Sequence, residues 1–166
     1  MLPRRYFLCT LGAGLLAGCG FELRRPLAMP FRRIYLNWPQ GHSIGARMNR
    51  QLELAGVEVI TDVRQIERAD VLFDVLAEVR DKIVVGRTVS GSIREYQLRL
   101  RLRYRVRSRE GVELIPEAEM LLTRDIHFNE TGALFKESEE GLLFRDMETD
   151  LVQQILRRMA VMKLPV

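Results

Sequence analysis

Ten consecutive residues in the middle of the chain alternate strictly between apolar and basic side chains. Residues 98–107 read Leu-Arg-Leu-Arg-Leu-Arg-Tyr-Arg-Val-Arg. In a β-strand successive side chains leave by opposite faces, so the apolar residues share one face and the five arginines share the other. The apolar face has to be buried, which leaves guanidinium groups about 7 Å apart on a face that the helices of the chain do not cover.

Two interpretations of this arginine row remain open. In the first, acids of the same chain neutralise it. A hairpin loop at residues 109–111 would pair Arg107 with Glu113, Arg103 with Glu117 and Arg101 with Glu119, with Asp74 and Glu78 of another strand nearby. Pro116 weakens this register, because proline inside a strand indicates an edge or a bulge. In the second interpretation the row binds an anionic partner, either phosphates of a glycolipid or acidic groups of a protein.

The amino terminus resembles a lipoprotein export signal. A short basic start, residues 1–5, precedes an uncharged run at residues 6–17, which is too short to span a bilayer. Leu16-Ala17-Gly18-Cys19 then resembles the bacterial lipobox. By this resemblance Cys19 becomes the first mature residue and carries covalent lipid, and a residue other than Asp at position 20 favours the outer membrane.

Charge and cysteine content fit an exported, lipid-anchored domain. Removing Arg4 and Arg5 leaves 24 basic against 22 acidic residues, so net charge gives no support for nucleic-acid binding. Cys9 leaves with the signal and Cys19 is lipidated, so we expect no disulfide. The predicted organisation is a signal peptide at 1–18, a lipidated tether at 19–30 and a single domain at 31–166.

Local patterns predict the elements of this domain. A short strand is expected at residues 31–38, and Ser43 is expected to cap a helix that ends at Gly56. Residues 57–60 are a brief β-like stretch, and residues 61–70 are expected to be irregular. Strands are predicted at 71–80, 83–88, 95–107 and 112–126, with a turn at Asp81-Lys82 and a hairpin loop with a left-handed glycine at Gly111.

The last predicted element is a long helix at residues 136–162, with an apolar stripe along one side. Two single-striped helices and meandering strands predict an α+β fold. We expect a two-layer sandwich in which both helices pack on one face of a mostly antiparallel, mixed four-stranded sheet. The other face of the sheet would be open.

Catalytic patterns are missing from the sequence. Only two histidines occur, His42 and His127, and no carboxylate spacing around them suggests a metal site. The serines include no Gly-x-Ser-x-Gly elbow. We therefore predict a protein that is not an enzyme, binds no metal and has no cofactor beyond the lipid on Cys19.

Several short stretches resemble the LPS-assembly lipoprotein family LptE. They occur in the family's order and span nearly the whole mature chain: residues 16–24, residues 49–58, Glu95-Tyr96-Gln97-Leu98, and the terminal helix at 150–159. The resemblance implies two helices on a four-stranded sheet and no catalytic residues. It also implies a plug inside the outer-membrane β-barrel LptD that assists barrel assembly and binds lipopolysaccharide on its way to the cell surface.

The resemblance also implies positions for ligand binding. In the family, basic residues before the Glu-Tyr-Gln strand and before the final helix are implicated. Lys136 matches the second position, whereas Arg87 and Arg94 both fit the first, because this sequence is longer through residues 89–93. With the two central arginines of the row, the predicted lipopolysaccharide-binding set is Arg87, Arg94, Arg99, Arg101 and Lys136.

Two other functions compete with this interpretation. One is a periplasmic scaffold lipoprotein that acts on cell-wall or other envelope proteins, for which a soluble partner would be expected. The other is a lipid-anchored hydrolase, which no residue pattern supports.

Overall fold

The computed structural model describes residues 27–39, 41–127 and 133–164, with the side chains of the last segment given from residue 138 onwards. The elements in chain order are β1 (Arg33–Asn37), α1 (Ser43–Leu54), β2 (Glu58–Ile60), a short 3-10 helix (Val63–Arg68), β3 (Val71–Arg87), β4 (Ile93–Ser108), β5 (Glu113–His127) and α2 (Ala133–Ala160). The two α-helices contact each other and pack on one face of a single mixed sheet. The predicted α+β class with two helices on one face is confirmed.

The sheet has five strands rather than the predicted four, in the order β2-β1-β3-β4-β5. The additional strand is β2, whose three residues pair in parallel with β1 alone. Helix α1 makes the crossover that parallel neighbours require. β1 is also parallel to β3, while β3, β4 and β5 are antiparallel. This strand is the brief β-like stretch predicted at residues 57–60, which the predicted count of four strands did not include.

β3 runs unbroken through the predicted Asp81-Lys82 turn, so that prediction was wrong. Asp81 pairs with Arg99 and Lys82 pairs with Leu98 in the β3–β4 ladder. The chain reverses instead at residues 88–92, where Gly91 has φ +86° and its N–H donates to the Thr88 carbonyl at 2.9 Å. Glycine adopts this positive φ readily, and the Asp81-Lys82 pair contains no glycine.

Two glycines end elements as predicted, but the predicted helix cap is wrong. Gly111, in the β4–β5 loop, has φ +88°, and Gly56, after α1, has φ +80°. The N-cap of α1 is His42 rather than Ser43, and its side chain makes no capping hydrogen bond. The Ser43 hydroxyl instead donates to Glu148 at 2.9 Å, which ties α1 to α2.

The main core lies between the sheet and the helices. Both predicted apolar stripes face it, with fully buried residues Ile44, Met48 and Leu52 from α1 and Met147, Leu151, Ile155 and Met159 from α2. Trp38, Phe73 and Tyr104 form a stack with ring centroids 5.7 and 5.2 Å apart. This core fixes which face of each strand is turned away from the helices.

A second, smaller core lies on the opposite face, at the β1–β2 end of the sheet. The 3-10 helix covers it there, in a segment that the sequence analysis expected to be irregular. Its buried members are Tyr35, Ile60, Ala69 and Leu72, with Ile66 packed against them. The face opposite the α-helices is therefore open only over β3, β4 and β5, and we call that part the open face.

Candidate anionic-ligand interface

The arginine row lies on the open face, as the alternation predicts. Leu98, Leu100, Leu102, Tyr104 and Val106 are fully buried on the helix side of β4. The five arginines between and beyond them, at positions 99, 101, 103, 105 and 107, have side chains between 33 and 44% exposed where an ion pair records the value. Burial of the apolar face thus presents a line of guanidinium groups to the outside.

Asp74 holds the two arginines at the far end of the row. Its carboxylate accepts from Arg105 Nε at 3.1 Å, Arg107 Nε at 2.9 Å and Asn37 Nδ2 at 3.3 Å. Burial by itself would raise the pKa of Asp74, but hydrogen bonds from Arg107, Asn37 and Arg105 outweigh it, so the pKa lies below its ordinary value. Arg105 and Arg107 are therefore committed to an internal acid.

Two further arginines contact glutamates of β5. Arg103 donates to Glu117 through Nε at 2.9 Å and also through Nη2. Arg101 is more loosely paired, because its Nε lies 3.7 Å from Glu119 Oε1. Both ion pairs were predicted, and for these arginines the first interpretation of the row holds.

The predicted strand register is correct only at its first pair. Arg107 faces Glu113, but Arg103 faces Glu119 and Arg101 faces Leu121, so the register has shifted by two residues. Irregularities between Tyr104 and Arg107, opposite the Pro116 region, take up the difference. A shift of two preserves the face of every side chain, and the long arginines reach their glutamates diagonally.

Glu78 does not neutralise the row, contrary to the sequence analysis. A register shift between Val75 and Ala77 adds one residue to β3, so that Glu78 faces Leu102 on the helix side. There it accepts from Trp38 Nε1 at 3.0 Å and from Arg80 Nη2 at 3.1 Å. The bulge reverses the face to which each later side chain of β3 points. The even spacing between Asp74 and Glu78 in the sequence cannot reveal such a bulge.

Arg99 is the member of the row without a carboxylate in ion-pair contact among the residues that the structure describes. Its Nε donates to the Gln97 side chain at 2.9 Å. Beside it, Arg101 faces Val79 on one neighbouring strand and Leu121 on the other, and these aliphatic side chains are 40 and 49% exposed. Arg99 lies opposite Asp81 of β3 without an ion-pair contact to it, so within the described residues the Arg99–Arg101 part of the row is the least tightly paired, and aliphatic side chains border it.

The other predicted basic residues lie at the end of the sheet where β3 meets β4. Arg87 is exposed and donates to the Gly91 carbonyl at 3.0 Å. Arg94 is exposed and has no polar partner within the described part of the chain. Arg94 lies at an irregularity of the β3–β4 ladder, between the Gly86–Glu95 and Arg87–Ile93 pairs.

Lys136 lies in the first turn of α2. Its side chain lies outside the described residues, but one turn later Glu140 accepts from Lys82 Nζ of β3 at 2.5 Å. This ion pair joins the second turn of α2 to β3 at a point five residues before Arg87. Cys19 and the whole of the predicted signal peptide lie outside the described residues.

An ionic cluster that was not predicted from the sequence lies on the helix side, between β3, α1 and α2. Glu148 is 2% exposed and pairs with Arg80 Nη1 at 2.9 Å, while Arg47 approaches it at 3.6 Å. His42 Nδ1 lies 3.0 Å from Glu78 and borders an open cavity of about 380 Å³. Its charged members come from three elements that only the folded chain brings together, so no local pattern could have found it. Arg80 contacts the carboxylates of both Glu78 and Glu148, so basic side chains of the same cluster neutralise its acids.

The described segments contain neither a metal-binding cluster nor a membrane-spanning helix. Within them no three His, Cys, Asp or Glu side chains are grouped so as to hold a metal ion. Nor does any helix in this part of the chain have the length and apolar content needed to cross a bilayer. The arginines of the open face remain the main candidate for ligand contact.

The fold and this face define a class of protein, a small α+β sandwich whose two helices leave one sheet face basic and accessible. The family model described as LptE, lipopolysaccharide-assembly, matches residues 31–159. The chain belongs to this LptE family of lipopolysaccharide-assembly lipoproteins.

Relatives and solved structures agree with this assignment. The LPS-assembly lipoprotein LptE of Pectobacterium atrosepticum is 26% identical over 95% of this chain and 86% of its own length. That of Yersinia enterocolitica is 27% identical over 96 and 78%. A solution structure of lipoprotein B from Nitrosomonas europaea is 32% identical, with a TM-score of 0.71 over 83% of this chain and 88% of that one. A minor lipoprotein of Acinetobacter baumannii shares the fold, at 18% identity and a TM-score of 0.63 over 82 and 99%.

Proposed function

We propose that this protein is an outer-membrane lipoprotein, anchored through lipid on Cys19, that plugs the LptD β-barrel, assists its assembly and binds lipopolysaccharide in transit. Membership of a lipopolysaccharide-assembly family supports the general role. The observation that carries ligand binding is the Arg99–Arg101 region, where, among the described residues, one guanidinium has no acid in ion-pair contact and the next has only a distant one. No catalytic step is part of this proposal.

The chemistry of binding follows from the guanidinium group. Its planar array of donors matches two oxygens of a phosphate, and such charge-assisted pairs are stronger than neutral hydrogen bonds. Arg99 and Arg101 would contact phosphates of lipid A or the core on the open face. Arg87, Arg94 and Lys136 would contact them at the β3–β4 end of the sheet.

The rest of the open face is assigned to the barrel wall. Val79 and Leu121 expose aliphatic surface on either side of Arg101, and the paired Arg103 and Glu117 border it. An apolar centre with an arginine and a paired polar surround is a composition typical of protein interfaces. In this arrangement residues 19–30 form the tether and residues 31–166 form the plug.

Reversing the two least tightly paired arginines is expected to weaken binding with little loss of fold. The Arg99→Glu/Arg101→Glu variant places two acids where phosphates would bind, and we expect at least about a tenfold loss of lipopolysaccharide affinity or of barrel association. Both side chains leave the sheet on its open face, so the free energy of unfolding should change by no more than about 1 kcal/mol. Lipopolysaccharide binding to the purified protein and co-purification with LptD measure the two effects.

The matched control reverses two arginines outside the open face. Arg109 lies in the β4–β5 turn and Arg157 is exposed on α2. The Arg109→Glu/Arg157→Glu variant alters net charge equally, so it should bind both partners as the unmodified protein does. Unchanged binding of both partners by the Arg99→Glu/Arg101→Glu variant would rule out the assigned role.

A pull-down from detergent-solubilised outer membranes separates the plug from the scaffold alternative. A stable one-to-one complex with a large barrel supports a plug. Recovery of a soluble periplasmic protein in place of a barrel would favour the scaffold. Mass spectrometry of the same sample tests lipid on Cys19 directly.

A further inference from the structure

The carboxyl end of α1 is both apolar and acidic. Leu54, the last residue of the helix, is 70% exposed. The neighbouring Glu53 is exposed, and its carboxylate has no partner among the residues that the structure describes. The last turn of α1 contains no basic residue, so nothing in that turn offsets the negative end of the helix dipole. This end of α1 therefore presents an exposed leucine beside unpaired negative charge.

Both helices end at the end of the sheet where the chain enters it. α1 connects the parallel strands β1 and β2, so it runs back toward the start of β1. α2 runs back along β5 in the same way, because Asp150 bonds Arg124 whereas Arg158 bonds Tyr104, which pairs with Ala118 earlier in β5. β1 and β5 point the same way, since β1 is parallel to β3, and β4 is antiparallel to both β3 and β5.

The carboxyl end of α2 provides a comparison. Val161 follows this helix directly and is 80% exposed. In contrast to α1, the last turn of α2 contains two basic residues, Arg157 and Arg158. Both helices thus end beside an exposed aliphatic side chain, but only α1 combines it with negative charge that its own last turn does not offset.

The described part of the tether lies next to this end of α1. The Glu58 N–H, just after α1, donates to the Arg32 carbonyl, just before β1, at 2.9 Å. Phe31 is buried in the main core, and Met29 packs against the same core. The residues that precede Leu27 are therefore joined to the domain within reach of the end of α1.

The sequence of the tether alternates in a way that continues into the domain. Apolar residues occupy odd positions along it: Phe21, Leu23, Leu27, Met29 and Phe31. In an extended chain such residues lie on one side, and the last two of them contact the core. The first part of the tether, residues 21–25, also contains the adjacent basic residues Arg24 and Arg25. It thus combines apolar and basic groups that complement the end of α1.

We propose that the first part of the tether docks on the carboxyl end of α1. Leu23 covers the exposed Leu54, while Arg24 and Arg25 pair with Glu53 and with the negative end of the helix. Because the segment is covalently joined to the domain beside this surface, its effective concentration there is high. The β3–β4 hairpin lies at the opposite end of the sheet, so this contact is separate from the predicted lipopolysaccharide-binding residues.

Docking fixes the position of the anchor relative to the domain. Eight residues separate Cys19 from Leu27, and as a free linker they would span up to about 27 Å. With residues 21–25 held against α1, only Cys19 and Gly20 lie beyond the docked segment. The carboxyl end of α1 would then be held next to the membrane. This consequence rests on the proposed lipid on Cys19, whereas the docking itself does not.

Disulfide formation between the tether and α1 tests the docking. The mature, lipidated chain is expected to have no free thiol, so Leu23→Cys/Leu54→Cys introduces a single pair. The purified lipoprotein is reduced in detergent and returned to an oxidising buffer, and its remaining thiols are counted by alkylation and mass spectrometry. The disulfide should form at least about tenfold faster than in Leu23→Cys/Val161→Cys, whose second cysteine lies at the same end of the sheet.

Charge reversal tests the ionic part of the contact. Adding Glu53→Arg to the Leu23→Cys/Leu54→Cys variant should slow the reaction about fivefold, because it replaces attraction by repulsion. Further addition of Arg24→Glu/Arg25→Glu should restore the rate. The matched control is Glu67→Arg, which reverses an exposed acid of the 3-10 helix on the opposite face and should leave the rate unchanged. Circular dichroism of each variant checks that the fold is kept.

Three results would overturn the proposal: equal rates for the Leu54 and Val161 pairs, a charge reversal at Glu53 that does not slow the reaction, or a disulfide between two copies of the chain in place of the internal one. The last result would assign the end of α1 to a second copy. The mass of the amino-terminal peptide in the same sample shows whether Cys19 carries lipid, so failure of the anchor and failure of the docking are told apart.

Discussion

Asp74→Ala is expected to lower the free energy of unfolding by about 2–3 kcal/mol, because it leaves Arg105 and Arg107 without their shared acceptor. Asp74 is 4% exposed and accepts three side-chain hydrogen bonds. Without it, neither arginine can turn toward water for a new acceptor without leaving a gap in the sheet face. Urea unfolding followed by Trp38 fluorescence measures the change, since Trp38 stacks on the adjacent Phe73. An unchanged midpoint would contradict this account of the row.

The pH dependence of stability provides an independent check on Asp74. Its pKa is below the ordinary value in the folded state, and so is that of Asp70, where hydrogen bonds from Arg33 and the Arg32 N–H outweigh burial. A lowered pKa stabilises the fold above about pH 4 and loses that contribution as the pH falls through the folded-state value. Unfolding free energy should therefore fall in acid, and more gently for Asp74→Ala. Asp74→Asn keeps the shape but has no titrating carboxyl, so its unfolding free energy should fall in acid as gently as that of Asp74→Ala.

Leu100→Ala is expected to cost about 3 kcal/mol, because it removes a fully buried side chain in the middle of the sheet. Leu100 faces Leu122 on β5 and lies under the helices, where the core is close-packed and cannot collapse around a cavity. Thermal or urea unfolding measures the loss.

Leu121→Ala is the matched control, with the same chemical change on the neighbouring strand. Leu121 is 49% exposed on the open face, opposite Arg101, so its truncation should cost less than about 1 kcal/mol. Equal losses for the two variants would mean that the faces of the sheet are not separated as described. If Leu121→Ala also weakens co-purification with LptD while Leu100→Ala does not, the open face gains direct support as the barrel contact.

Much of the arginine row could be predicted because its signal is local. Alternate burial of leucines and exposure of arginines follows from the geometry of one strand, and the ion pairs of Arg101 and Arg103 follow from a hairpin with a glycine turn. The helical stripes that include Met48 and Leu151 are equally local, since each repeats within a few turns. The predicted sheet face of each side chain in the β4–β5 hairpin is correct even where the predicted register is wrong, because the register is shifted by two residues.

The sequence by itself determined the alternation of β4, the two amphipathic helices and the turns at Gly56 and Gly111, since each depends on neighbours within a few residues. Only the tertiary structure decided that β2 joins the sheet, that β3 continues through Asp81, and that a bulge turns Glu78 toward the helices while Asp74 stays with the arginines. It also decided which guanidinium of the row has no acid in ion-pair contact among the described residues, because that depends on carboxylates brought close from distant strands. Such pairings are set by packing and strand register over the whole sheet, and one extra residue in a strand reverses the face of all that follow.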